Sequence, residues 1–149
     1  MAPLTQQDVD ALMDELKPLT TSEELRTQLG MKVYDALFNA KPDYIQLFSK
    51  LHGLDNSNVR QSEGFKYYGR TYVEDLLKFI HAAANEAEYR KLIDESGAQH
   101  KTRKVNKEQF LSGEPVFTQV FKEVLKQGHN AQSMEKLFKD MIPAIANKI

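Results

Sequence analysis

Residues 58–84 have the sequence NVRQSEGFKYYGRTYVEDLLKFIHAAA, the longest stretch of the chain with helical periodicity. Side chains expected on its buried face recur every three or four residues: they are Phe65, Gly69, Tyr72, Val73, Leu76, Leu77 and Ile80. At about 100° per residue, Tyr67 lies opposite this face and Tyr68 lies at its edge. The stretch therefore predicts a long amphipathic helix from about Asn58 to Ala84, with Tyr67 in solvent. Tyr68 either directs its hydroxyl into a cavity or is a boundary tyrosine with a solvated hydroxyl.

Two glycines lie inside predicted helices, where glycine costs about 1 kcal/mol relative to alanine. Gly69 belongs to the long helix, and Gly30 belongs to the helix before it. A close crossing of the two helices at these glycines explains both positions. It also brings Tyr34, one turn beyond Gly30, beside Tyr68.

Helical spacing continues on both sides of this stretch, and Pro, Gly and capping residues mark the ends. The other predicted elements are a helix from Thr5, capped with Asp8, to Lys17-Pro18; a helix from near Thr21, capped with Glu24; a short helix Pro42 to Phe48; a loop Ser49 to Ser57; a helix Glu86 to His100; a basic connector Lys101 to Lys104; a helix ending near Lys126; and a last helix after Gly128 to Asn130. Pro115 either kinks its helix or marks its start. No stretch alternates with a period of two, so we expect a single all-α domain over residues 1–149.

Composition narrows the possible partners. The chain has 149 residues, 20 basic and 21 acidic side chains and a net charge of −1, which favours neither nucleic acid nor an anionic membrane. It has no cysteine, which excludes disulfides, thiolate nucleophiles and cysteine metal sites. There is no basic, apolar leader and no run near the roughly 20 apolar residues that span a bilayer. We therefore expect a complete, cytoplasmic and monomeric protein whose partners are small neutral molecules.

The four histidines differ in their expected surroundings; they are His52, His81, His100 and His129. His52 and His129 lie in glycine-containing loop segments and His81 lies at a helix end, so all three are expected at the surface. His100 lies within roughly 20° of Ile93 and Tyr89 on its helix and continues a buried stripe. A buried imidazole needs partners for its nitrogens. Taken alone, this position favours a core or helix-end histidine over a metal ligand.

Seven segments, in this order and spacing, resemble globins, and most closely the haemoglobins of trematode flatworms, which carry tyrosine at both distal positions. They are KVYDALF at 32–38, PDYI at 42–45, FS at 48–49, QSEG at 61–64, YGRT at 68–71, HKTRKV at 100–105 and SGEP at 112–115. The resemblance covers nearly the whole chain. It implies the globin fold, with seven to eight helices around a haem b pocket.

The same resemblance implies roles for individual residues. His100 is the proximal iron ligand, Phe48 packs against the porphyrin after the turn at Pro42, and Tyr34 and Tyr68 face the bound gas. Further haem contacts are expected from Tyr44, Tyr68, Tyr72, Val105 and Phe110. Globins usually have histidine where Tyr68 stands and valine or leucine where Tyr72 stands, so this pocket departs from the common pattern. Arg103 and Lys104 are candidates for the propionates, or form a solvated basic loop.

Two distal phenols suit oxygen binding. A phenol with a reference pKa near 10 stays protonated and donates a hydrogen bond, which bound dioxygen accepts better than carbon monoxide. The resemblance therefore implies a non-enzymatic oxygen-binding protein with high affinity and slow release, which also takes carbon monoxide and nitric oxide as ligands. The alternatives are a haem enzyme acting on peroxide or nitric oxide, and a helical interaction domain without haem. In the ferric state, Tyr34 or Tyr68 is a possible phenolate ligand.

Overall fold

The computed structural model describes all 149 residues, Met1–Ile149, and contains helices and turns but no strand. The α-helices are α1 (Gln6–Thr20), α2 (Glu23–Ala40), α3 (Glu63–Ala82), α4 (Glu86–Thr102), α5 (Lys107–Leu111), α6 (Glu114–Val124) and α7 (Gly128–Ala146). Short 3-10 turns cover Pro42–Leu47, Ser49–Leu51 and Val59–Gln61. The all-α prediction is confirmed. None of the helices combines the length and apolar character that crossing a membrane requires.

Side-chain caps fix where the first three helices begin. Thr5 and Asp8 form the predicted capping box of α1. The cap of α2 is Ser22, whose hydroxyl accepts a hydrogen bond from the backbone N–H of Leu25, so the predicted cap at Thr21 with Glu24 is wrong by one residue. Ser62 caps α3 in the same way. The long helix therefore begins at Glu63, not Asn58, because a hydroxyl cap satisfies an otherwise unpaired N–H at that point.

Pro18 and Pro115 occupy different positions in their helices. Pro18 lies inside α1, so the prediction that it ends this helix is wrong. In the last turn, the carbonyl oxygen of Thr20 accepts a hydrogen bond from Arg26 at 2.9 Å. Pro115 lies in the first turn of α6, where its missing N–H costs no helical hydrogen bond. It therefore marks the start of a helix, and the segment before it forms the separate helix α5.

The crossing of α2 and α3 at Gly30 and Gly69 is confirmed. A Cβ atom on Gly69 would lie 2.9 Å from the backbone nitrogen of Met31, and one on Gly30 would lie 2.5 Å from the Cα of Gly69 and closer still to its carbonyl group. Backbone therefore lies directly against backbone, an approach that any other residue would prevent.

Two apolar clusters both include side chains of α2 and α3. The larger cluster joins α1, α2, α3, α4, α6 and α7, and Tyr72 packs against it. The smaller cluster lies around the Pro42–Leu47 turn and the start of α3, and Tyr34, Phe48 and Tyr68 pack against it. The rings of Tyr34 and Tyr72 touch across the boundary, with centroids 5.5 Å apart. The residues that the sequence predicts for the distal site therefore collect at one place between the two clusters.

Candidate functional site

His100 lies in the last turn of α4, and its hydrogen bonding fixes its tautomer. Nδ1 lies 2.7 Å from the carbonyl oxygen of Ser96, one turn earlier, and a carbonyl can only accept. Nδ1 therefore carries the proton and donates, which leaves the lone pair of Nε2 without a hydrogen-bond partner in the protein. A backbone acceptor on Nδ1 is the usual way in which a protein orients a histidine that binds metal through Nε2.

The surroundings of His100 favour the neutral imidazole. Burial lowers the pKa of His100, and the positive charge of Arg103 lowers it further, whereas the hydrogen bond to Ser96 acts in the opposite direction. The ring of Phe110 packs edge-on against the imidazole, with centroids 4.7 Å apart. His100 is thus a fixed, neutral nitrogen donor.

The end of α4 holds this histidine in place. The carbonyl oxygen of His100 accepts a hydrogen bond from the N–H of Val105 at 3.1 Å, and that of Lys101 accepts one from the N–H of Lys104 at 3.0 Å. Lys104 has a φ angle of 63°. This is the arrangement of a Schellman motif, in which a residue in left-handed conformation ends the helix. The half-buried side chain of Val105 follows directly.

Tyr34, on α2, lies among aromatic rings. Its centroid is 5.2 Å from that of Phe48 and 5.7 Å from that of Phe38. Its hydroxyl makes no hydrogen bond with the protein, and burial raises the pKa of Tyr34 far above its ordinary value. Tyr34 therefore keeps its proton and is available as a donor.

Tyr68 packs on the other side of Phe48, with centroids 4.9 Å apart. Its hydroxyl accepts a hydrogen bond from the backbone N–H of Lys50 at 3.1 Å and lies 3.3 Å from the hydroxyl of Ser49. In this structure, the Tyr68 hydroxyl thus points to the turn that follows Phe48. Tyr67 is 41% exposed, as predicted.

Tyr72 has an unusual environment for a tyrosine. Its ring lies between those of Tyr34 and Phe117, with centroids 5.5 and 5.2 Å away. Its hydroxyl oxygen is buried and has no hydrogen-bond partner. Burial raises the pKa of Tyr72 well above its ordinary value. A buried hydroxyl without a partner costs about 1–3 kcal/mol, so the position calls for an acceptor that the chain itself does not supply.

Electrostatics connect the histidine with the phenols. The charges of Arg103 and Asp75 influence both the pKa of His100 and the pKa of Tyr34. Arg103 and Asp75 are thus charged neighbours that His100 and Tyr34 have in common.

Other predicted contacts lie around this site. The hydroxyl of Tyr44 lies 2.8 Å from that of Ser112 and so links the Pro42–Leu47 turn to the junction of α5 and α6. His52, His81 and His129 are exposed, as predicted. The sequence arguments missed Ser96, although its place one turn before His100 is a usable signal. They also missed Asp75 and the contact of Phe117 with Tyr72, because spacing along one helix does not show what a neighbouring helix brings.

Comparisons with known proteins agree with this arrangement. The sequence profile of the globin family matches residues 31–145. The chain is 36% identical to a globin of Isoparorchis hypselobagri, over 98% of this chain and 99% of that protein. It is 42% identical to a globin of Dicrocoelium dendriticum, over 87% and 91% of the two chains.

Solved structures show the same fold. Ferric myoglobin of Aplysia limacina superposes with a TM-score of 0.82 at 19% identity, over 97% of this chain and 98% of the myoglobin. A globin-like protein of C. elegans gives 0.79 at 18% identity, over 97% and 94%. At such low identity these two likenesses concern the fold alone.

Proposed function

Because the chain belongs to the globin family, we propose that it binds oxygen reversibly at haem b, with high affinity and slow release. Haem-based oxygen binding is the general activity of this family. The related globins and the myoglobin-like fold point to an oxygen-binding protein rather than to an enzyme. The finer parts of the proposal concern the residues that hold the haem and the gas.

The proximal side of the site fits haem. A half-buried, neutral His100 with Nδ1 bound to a carbonyl and Nε2 without a partner has the donor chemistry of an imidazole that binds iron. When bound, haem supplies a ferrous iron with an open coordination position for a gas. In the proposal, His100 would hold the iron, and the residues that would contact the macrocycle are Phe48, Tyr44, Val105, Phe110, Tyr68 and Tyr72.

The observation that carries the proposal is the Tyr34 hydroxyl. It has no hydrogen-bond partner in the protein, and its pKa is raised by burial, so it remains a donor. Bound dioxygen attracts electron density and accepts a hydrogen bond well, whereas carbon monoxide stays nearly neutral. A phenol in this position therefore retains oxygen selectively.

Tyr68 is proposed as the second donor to oxygen. It shares Phe48 as a packing partner with Tyr34, and the pKa of Tyr34 responds to it, so the two phenols are neighbours. If each donor contributes about 1–2 kcal/mol, the pair slows oxygen release by roughly 10²- to 10³-fold.

Stopped-flow measurement of oxygen release from the ferrous protein tests this proposal. We expect Tyr34→Phe to release oxygen roughly 10-fold faster or more, and the double variant with Tyr68→Phe to release it faster still. Tyr67→Phe, at the exposed neighbour of Tyr68, is the matched control and should leave the rate unchanged. Unchanged release in both single variants and in the double variant would refute the two-tyrosine pocket.

Location, oligomeric state and ligands are also part of the proposed function. We propose a cytoplasmic monomer whose ligands are dioxygen, carbon monoxide and nitric oxide, with neither nucleic acid nor a membrane as partner. The near-neutral net charge of −1 supports this assignment. Sedimentation of the haem-loaded protein at several concentrations tests the monomer, since an oligomer would show a mass that rises with concentration.

A further inference from the structure

Tyr72 has a hydroxyl that the proposed function does not use. It lies on α3 one turn after Tyr68, where side chains four residues apart share a face. Its oxygen is buried and lacks a hydrogen-bond partner. Phenylalanine at this position would fill nearly the same volume without burying an unsatisfied polar atom. The hydroxyl therefore needs a reason that packing alone does not give.

Packing also restricts where the hydroxyl can go. The ring of Tyr72 meets the ring of Tyr34 edge-on, at an interplanar angle of 72°, and meets Phe117 on α6 at 5.2 Å. With neighbours on both α2 and α6, the ring cannot turn out to solvent without disturbing two helix contacts. Its hydroxyl thus stays among the aromatic side chains of the distal site.

The hydroxyl of Tyr72 and that of Tyr34 share this region. The charge state of Tyr34 influences the pKa of Tyr72, so the two phenols are close enough to interact. No hydrogen bond joins them, and neither has another partner. A single small acceptor between them would satisfy two donors at once.

Tyr68 differs from both. Its hydroxyl already accepts from the N–H of Lys50 and lies beside the hydroxyl of Ser49. The bond accepted from Lys50 leaves the O–H of Tyr68 free to donate, but it holds the hydroxyl oxygen at this turn, and the Ser49 hydroxyl competes for the proton. The net gain of Tyr68 from a gas is therefore smaller. Tyr72 has no such contact to give up.

We propose that Tyr72 is a third ligand-binding residue, which donates a hydrogen bond to bound oxygen together with Tyr34 and contributes more than Tyr68. This inference rests on the proposed oxygen binding and names a donor beyond it. The ligands that Tyr72 favours are diatomic molecules that accept hydrogen bonds. Oxygen is therefore retained preferentially over carbon monoxide.

The test compares Tyr72→Phe with Tyr34→Phe, Tyr68→Phe and the exposed control Tyr67→Phe in the same stopped-flow experiment. We expect Tyr72→Phe to release oxygen about 10-fold faster, with a smaller effect on carbon monoxide release, and Tyr68→Phe to have a smaller effect on oxygen than Tyr72→Phe. Release from Tyr72→Phe at the wild-type rate, or a larger effect of Tyr68→Phe, overturns the inference. If Tyr34→Phe releases oxygen faster and Tyr72→Phe does not, only the role of Tyr72 fails. If none of the three changes the rate, the proposed function fails as well.

A second measurement uses the protein without haem or gas. Because Tyr72→Phe removes a buried hydroxyl that has no partner, we expect the haem-free variant to unfold at a higher urea concentration than the wild type. A lower midpoint would mean that the fold itself satisfies this hydroxyl, and the inference would be wrong.

Discussion

The crossing of α2 and α3 makes a sharp prediction for Gly30→Ala. The added Cβ would lie 2.5 Å from the Cα of Gly69 and closer still to its carbonyl carbon and oxygen, whereas ordinary contacts begin at 3.4 Å. The helices must therefore separate by more than the roughly 0.9 Å that the Cα alone requires. The obstacle is backbone, which cannot rotate aside as a side chain can. Overpacking of this kind costs about 1–3 kcal/mol or more, which exceeds the gain of about 1 kcal/mol from alanine in a helix. We expect Gly30→Ala to lower the free energy of unfolding by about 2 kcal/mol.

Urea unfolding followed by circular dichroism measures this change. The matched control is Gly128→Ala in α7, where an added Cβ meets nothing within 4 Å and the helical preference of alanine acts alone. We therefore expect the two substitutions to have opposite signs. Because separation of the helices also moves Tyr34 away from Phe48 and Tyr68, Gly30→Ala should release oxygen faster. A Gly30→Ala protein as stable as the wild type would refute the argument from close contact.

Three further predictions concern helix ends and one loop glycine. Glu15 accepts hydrogen bonds from the N–H groups of Lys126 and Gln127 and from the side chain of Asn130, and these lower its pKa although burial alone would raise it. The Glu15 carboxylate therefore stabilises the fold at pH values above about 4.5, which is the pKa of an unfolded glutamate. This contribution is lost as the pH falls through the lower pKa of Glu15 in the folded protein. Glu15→Gln should lose less stability than the wild type in urea titrations between pH 5 and pH 3, which is about the range in which a carboxyl group titrates; equal losses would contradict this role. Lys104 has a φ angle of 63°, so Lys104→Gly should raise the free energy of unfolding by about 0.5–1 kcal/mol. Gly53 has a φ angle of 86° in open space, so Gly53→Ala should lower the free energy of unfolding. A loss of stability in Lys104→Gly would refute the strain argument.

The sequence predicts well those features that depend on one helix at a time. The stripe of α3, the half-buried position of His100 beside the buried Tyr89 and Ile93, and the exposed position of Tyr67 follow from the angle per residue alone. The Gly30 and Gly69 crossing is predictable because a glycine inside a helix has a known cost that a close contact offsets. Helix starts are less predictable, because Thr21 and Ser22 are both good caps and only the observed hydrogen bond to Leu25 distinguishes them.

The direction of a side chain at the site depends on neighbours from other helices, and the sequence alone does not predict it. Spacing places Tyr68 at the edge of the buried face, which is correct, but does not show that the N–H of Lys50 donates to its hydroxyl oxygen and holds it at the turn after Phe48. Spacing places Tyr72 on that face without showing that Tyr34 and Phe117 enclose its ring. These are contacts between segments that are far apart in the sequence and are set by the packing of the whole fold.

The number of distal tyrosines is therefore a poor measure of how strongly oxygen is held. A donor gains from a ligand only the difference between the new hydrogen bond and the one that it gives up. Tyr34 and Tyr72 give up none within the protein, whereas the Ser49 hydroxyl competes for the O–H of Tyr68 and the N–H of Lys50 holds its oxygen at the turn. A buried donor without a partner also destabilises the protein before the ligand arrives, so part of the binding energy is the relief of that cost. For this reason, the same hydroxyl that weakens the haem-free fold is expected to slow oxygen release, and opposite effects of Tyr72→Phe on unfolding and on release follow from one cause.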